Sequence, residues 1–117
     1  MTLDQEVSES DLTLLREVFL GESQEGLQTM EQALLGLEAS PNDVELLQTV
    51  FRAAHTLKGG AVSLGLEGLG DFTHSMEDVL DRLRSGSLSP TQDVVTLLLE
   101  CVDALREMVP SALKGAP

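Results

Sequence analysis

The sequence predicts an all-α domain, an antiparallel up-down bundle of four helices. Apolar residues recur at three- and four-residue spacing in four long segments, and short loops rich in Ser, Pro, Asn and Gly separate them. No alternating strand pattern or internal repeat competes with that reading. A chain of 117 residues is one domain by size. Residues 1–10 are expected to be a flexible N-terminus, 11–109 the bundle, and 110–117 a tail or the start of a linker.

The first helix is expected from about Asp11 to Glu38, on the stripe Leu12, Leu15, Phe19, Leu27, Met30, Leu34 and Leu37, with Gly21 and Gly26 as candidate bend points. Ser40-Pro41-Asn42-Asp43 follows as a loop, and Asn42 with Glu45 three residues on suits a capping box. The second helix then runs from about Asp43 to Ser63. Its stripe is Leu47, Val50, Phe51, Ala54, Leu57, Ala61 and Leu64, and His55 flanks it. Gly59 and Gly60 lie in its interior, where each costs about 1 kcal/mol relative to Ala and so asks for a reason. Leu64-Gly65-Leu66 is a turn into a third helix, about Glu67 to Ser85, with Leu69, Phe72, Met76, Val79, Leu80 and Leu83 inward. Ser85-Gly86-Ser87-Leu88 closes it. Ser89-Pro90-Thr91-Gln92 reads as a capping box with Pro90 at the first position of a fourth helix, which carries Val94, Val95, Leu98, Val102, Leu105 and Met108.

Composition removes several functions. The net charge is −13, and residues 1–50 hold eleven acidic residues against one basic, which disfavours nucleic acid. Three Phe with no Trp or Tyr leave no platform for base stacking or a cation cage. No segment approaches the ~18 apolar residues of a membrane span, and the acidic, polar N-terminus is unlike a signal peptide, so a soluble cytoplasmic protein is expected. Cys101 has no partner for a disulfide and falls in an apolar helical segment, as a packed thiol would. Gly68-Leu69-Gly70-Asp71 is too slight for a nucleotide loop, and the chain is too short to add a nucleotide-binding kinase domain to the bundle.

The chemistry gathers at the second and third helices. If the chain reverses near Gly65 and Leu66, His55 lies level with Glu77 and Lys58 with His74, the two layers separated by roughly 4.5 Å of helix rise. A histidine with one ring nitrogen held by a carboxylate is fixed in tautomer, and its other nitrogen is free as a nucleophile or ligand. The chemistry that suits the four is reversible phosphorylation of His55. Glu77 would orient the ring and stabilise its developing charge, Lys58 would offset the phosphoryl charge, and His74 would support the cluster. A zinc site built from two His and Glu77 is the competing reading, disfavoured by the ammonium of Lys58 and by the lack of an HExxH spacing. Arg52, Gly59 and Val62 are the candidate docking residues beside His55. Arg52 relieves the acidic surface there, and Gly59 leaves the imidazole open to a large partner.

Phe51-Arg52-Ala53-Ala54-His55-Thr56-Leu57-Lys58-Gly59-Gly60-Ala61, with Thr73-His74-Ser75-Met76-Glu77 and Leu80-Asp81-Arg82-Leu83-Arg84-Ser85-Gly86, resembles the N-terminal histidine-phosphotransfer domain of CheA-type chemotaxis kinases over about residues 10 to 108. The resemblance implies that His55 is the phosphorylated histidine, Glu77 its hydrogen-bonded carboxylate, and Lys58 and His74 the supporting pair. It also implies that a separate CheA-type kinase domain, holding ATP and Mg²⁺, phosphorylates His55, and that a CheY- or CheB-like receiver aspartate takes the group. No cofactor is then expected in this domain, which is not a kinase alone, and it is expected to be a monomer when isolated. The family often has Gly where Val62 stands and an aromatic where Leu64 or Leu66 stands. It also commonly has a fifth helix, here expected to be absent or truncated. An excised piece of a larger kinase and a stand-alone phosphotransfer protein are both open readings, and so is a non-catalytic helical adaptor that docks a receiver without carrying phosphate.

Overall fold

Residues 8–115 are described by a computed structural model. Four helices follow in order: α1 (Glu9–Ala39), α2 (Val44–Ser63), α3 (Glu67–Ser85) and α4 (Gln92–Gly115). Short loops force antiparallel neighbours. Each helix packs on the next, α4 closes the ring against α1, and the diagonal pairs do not meet among the described residues. This is the four-helix up-down bundle the sequence predicts.

The apolar stripes converge on one core. Leu27, Met30, Leu34 and Leu37 of α1 meet Val50, Ala54, Leu57 and Ala61 of α2, Leu69, Met76, Leu80 and Leu83 of α3, and Val95, Leu98, Val102, Leu105 and Val109 of α4, all buried. Truncating any one of the leucines to Ala would cost about 2–5 kcal/mol. Leu12 and Leu15, expected in the first stripe, are exposed. The reason is length: Phe19 lies against Gly60 near the end of α2, so the two preceding turns of α1 have outrun their partner helix. Cys101 is half-buried against the core, and burial, with the charge of Glu100 added, pushes its thiol up and away from reactivity.

Helix ends depart from expectation where a better cap was available. Ser8 caps α1, taking the Asp11 N–H while the Asp11 carboxylate takes the Ser8 N–H, so the helix begins before Asp11; residues 1–7 of the expected flexible N-terminus lie outside the described residues. Asp43, not Asn42, caps α2: its Oδ1 accepts from the N–H groups of Glu45 (3.0 Å) and Leu46 (3.2 Å). A carboxylate there also answers the positive end of the helix dipole. Thr91, not Ser89, caps α4 by accepting from the Val94 N–H at 3.3 Å, which leaves Pro90 outside the helix. The expected tail from Pro110 is instead helix to Gly115. Pro110 removes one hydrogen bond, but Val109, Ala112 and Leu113 pack on the core around it, and that burial holds the last turns.

The α2–α3 turn fixes the register of the site. Gly65 takes a left-handed φ of 73°, its N–H donates to the Val62 carbonyl (3.0 Å), and the Leu66 N–H donates to the Ala61 carbonyl (2.9 Å). This paired closure is a Schellman motif, with buried Leu66 and Ala61 in its apolar contact positions.

Candidate functional site

Ala54 and Leu57 point α2 into the core, and His55, one residue round from Ala54, emerges at the flank of that stripe with its side chain 64% exposed. Glu77 comes from the facing turn of α3 and is buried, its side chain only 11% exposed. The carboxylate has two partners. Its Oε2 is 2.5 Å from His55 Nδ1, and its Oε1 accepts from Lys58 Nζ at 2.6 Å. A buried carboxylate requires such partners.

Burial pushes the Glu77 carboxyl upward. Hydrogen bonds from Lys58 and His55, reinforced by their charge, outweigh it and hold Glu77 below the usual carboxylate range. Glu77 is therefore an anion at neutral pH and an acceptor only, so the proton of the neutral His55 tautomer sits on Nδ1, which leaves the lone pair of that tautomer on Nε2.

The structure brings His55, Lys58 and Glu77 together but leaves His74 apart. Its exposed ring lies 4.0 Å from Asp78, one turn along α3. The level pairing of Lys58 with His74 does not form, although both line one groove of about 550 Å³ with Val62, Gly70 and Asp71. Helical side chains lean toward their own N-terminus, so the long Lys58 stem returns its ammonium to the layer of His55. There it occupies the Glu77 oxygen that a metal ion would need.

The two helix-interior glycines have different surroundings. A Cβ on Gly60 would come within 2.6 Å of the Phe19 ring, so Gly60 lets α1 approach α2. A Cβ on Gly59 would meet nothing within 4 Å, and no packing demand accounts for it. Arg52, Gly59 and Val62 are all exposed on α2.

Sequence reasoning missed a second neighbour of the imidazole. The Phe51 ring, one turn before His55, lies parallel to it, 6° between planes and 6.3 Å between centroids. The Arg84 guanidinium of α3 covers Phe51 at 3.6 Å from its centroid, and is itself anchored by Asp81 (2.9 Å) and Gln48 (3.1 Å). The four-residue spacing of Phe51 and His55 was the available signal, but Phe51 also fitted the core stripe.

A four-helix bundle with an exposed imidazole whose inner nitrogen is held by a buried anion defines a class of protein that offers a histidine on a helix face. Residues 14–108 match the Hpt domain family, and the chain belongs to it. The chain is 43% identical over 105 residues to the chemotaxis protein CheA of Bacillus subtilis (strain 168), covering 90% of this chain and 16% of that protein. The chain thus spans about a sixth of that relative's length. Among solved structures it is similar to the CheA phosphotransferase domain from Thermotoga maritima, with TM-score 0.79, 36% identity, and coverage of 86% of this chain and 94% of that one. It is also similar to the phosphorylated P1 domain of CheA3 in complex with CheY6 from R. sphaeroides, with TM-score 0.81, 27% identity, and coverage of 87% and 80%.

Proposed function

We propose that this domain is the phosphoryl carrier of a chemotaxis-type two-component pathway, with His55 as the carrying residue. The observation that carries the reading is the exposed His55 ring whose Nδ1 is held by buried, ionised Glu77. In the first step the Nε2 lone pair attacks the γ-phosphorus of ATP on a CheA-type kinase domain, the β–γ bridging P–O bond breaks, and ADP leaves with that electron pair. Imidazole becomes a phospho-imidazolium whose Nδ1 proton stays in the hydrogen bond to Glu77, so the charge forming on the ring meets an anion already in place. Lys58 holds the other Glu77 oxygen, 2.6 Å away, and is assigned to offset the incoming phosphoryl charge.

In the second step an aspartate of a CheY- or CheB-like receiver attacks the phosphorus, and the P–N pair returns to Nε2. ATP and Mg²⁺ belong to the partner domains. Docking is assigned to the α2 face bearing Arg52, Gly59 and Val62. Val62 is 65% exposed, and Leu15 and Val18 of α1 add apolar surface beyond the Phe19–Gly60 contact. That a solved relative is a phosphorylated P1 domain in complex with CheY6 supports transfer to a receiver by similarity. His74 is given a supporting role at the edge of the site, within the groove it shares with Lys58.

The test is incubation with ATP and a panel of CheA-type kinase domains, followed by measurement of acid-labile, base-stable phosphate. His55→Gln is expected to abolish the signal. Histidine phosphate that persists in that variant would sink the assignment, and a folded wild-type protein that takes none from any donor but still binds a receiver would favour the adaptor reading.

A further inference from the structure

His55 is held by little. Most of its side chain is in solvent, and its ring meets Glu77 at one nitrogen and Phe51 along its plane. A single hydrogen bond at Nδ1 sets the tautomer but lets the ring pivot about that contact, which would swing Nε2. A second, planar contact removes the pivot. The Phe51 ring supplies it, since a helical side chain leans back over the turn before it and His55 leans toward Phe51. Parallel planes at 6.3 Å between centroids fall in the offset-stacked range of aromatic pairs.

Phe51 is only half-buried, so it too needs a brace. Arg84 provides one from α3, its guanidinium on the Phe51 ring and its nitrogens tied to Asp81 of its own helix and Gln48 of α2. The planar guanidinium suits this better than an ammonium, because it stacks and still donates at its edge. The chain of contacts runs from Asp81 and Gln48 through Arg84 and Phe51 to His55.

We infer that Phe51, braced by Arg84, is a positioning residue for His55, holding the imidazole plane so that Nε2 stays presented to the phosphoryl donor and to the receiver. The inference rests on the phosphocarrier reading, and its test keeps the two separable. Phosphorylation rates and ¹⁵N spectra of the His55 ring are measured for wild type, Phe51→Leu, Phe51→Tyr and Arg84→Gln, each with its unfolding midpoint. Phe51→Leu keeps an apolar filler but no ring, and is expected to slow phosphorylation about tenfold and broaden the His55 signals, while Phe51→Tyr stays within about twofold of wild type. Arg84→Gln alters an exposed residue, keeps the fold, and is expected to fall between them. A wild-type rate with wild-type ring signals in Phe51→Leu would overturn the inference, as would Phe51→Tyr failing as badly as Phe51→Leu. If Phe51→Leu does not fold, Arg84→Gln decides: unchanged rate and ring signals would overturn it. The ring spectra read positioning whether or not phosphate is accepted, so an unphosphorylated wild type would sink the carrier reading alone.

Discussion

Glu77 does two jobs with one carboxylate, and both depend on its charge. Replacing it by Gln keeps the shape, removes the anion that answers the phospho-imidazolium, and leaves Lys58 without its partner. We expect Glu77→Gln to slow His55 phosphorylation by about 10- to 100-fold with the bundle still folded, as judged by circular dichroism. An unchanged rate would contradict the orientation argument. The same group makes a pH prediction. Because its folded pKa is lowered, its contribution to stability is present above the unfolded value of about 4.3 and is lost as pH falls through the folded value. The gap in unfolding midpoint between wild type and Glu77→Gln should therefore narrow below about pH 4. A gap that widens toward acid would reverse the sign. At this scale the sequence placed His55 opposite Glu77 from the hairpin register alone. It could not place Lys58, because a four-carbon stem reaches a full turn either way and only the buried second oxygen of Glu77 decides which.

Among the elements, α2 carries two neighbouring glycines that respond in opposite directions. Gly60→Ala puts a Cβ into the Phe19 ring and should destabilise by about 1–3 kcal/mol, whereas Gly59→Ala meets open space and should stabilise by up to about 1 kcal/mol in urea unfolding. Equal effects would mean that α1 yields at Phe19. The far end of α4 makes a second test. A chain ended at Val109 loses Ala112 and Leu113 from the edge of the core and should unfold at lower denaturant, by about 1 kcal/mol. An unchanged midpoint would restore the reading of this segment as a tail. Helix existence was legible because the stripes are long and regular. The ends were less so: Asn42 and Asp43 are both good caps, as are Ser89 and Thr91, and backbone geometry chose between them. The proline rule misled at Pro110, where Leu105, Val109 and Leu113 continue the apolar spacing through it.

For the whole molecule, a ring of four helices makes an inexpensive pedestal for one exposed ring. The core fixes α2 against α3, the Gly65 closure sets their register, and the imidazole stands outward with its inner nitrogen already occupied. None of the described residues outside this site combines an exposed histidine with a buried anion; the carboxylate that His74 approaches, Asp78, is exposed. The fold class followed from periodicity, and the choice of His55 over His74 followed from which one faces a carboxylate across the hairpin. The central claim is that Glu77 reserves Nδ1 and leaves Nε2 to carry the phosphoryl group. This is read by ¹H–¹⁵N–³¹P NMR of the domain after phosphorylation by a CheA-type kinase domain. The account predicts phosphorus coupled to Nε2 of His55 with the Nδ1 proton retained, whereas phosphorus on Nδ1, or on His74, would contradict it.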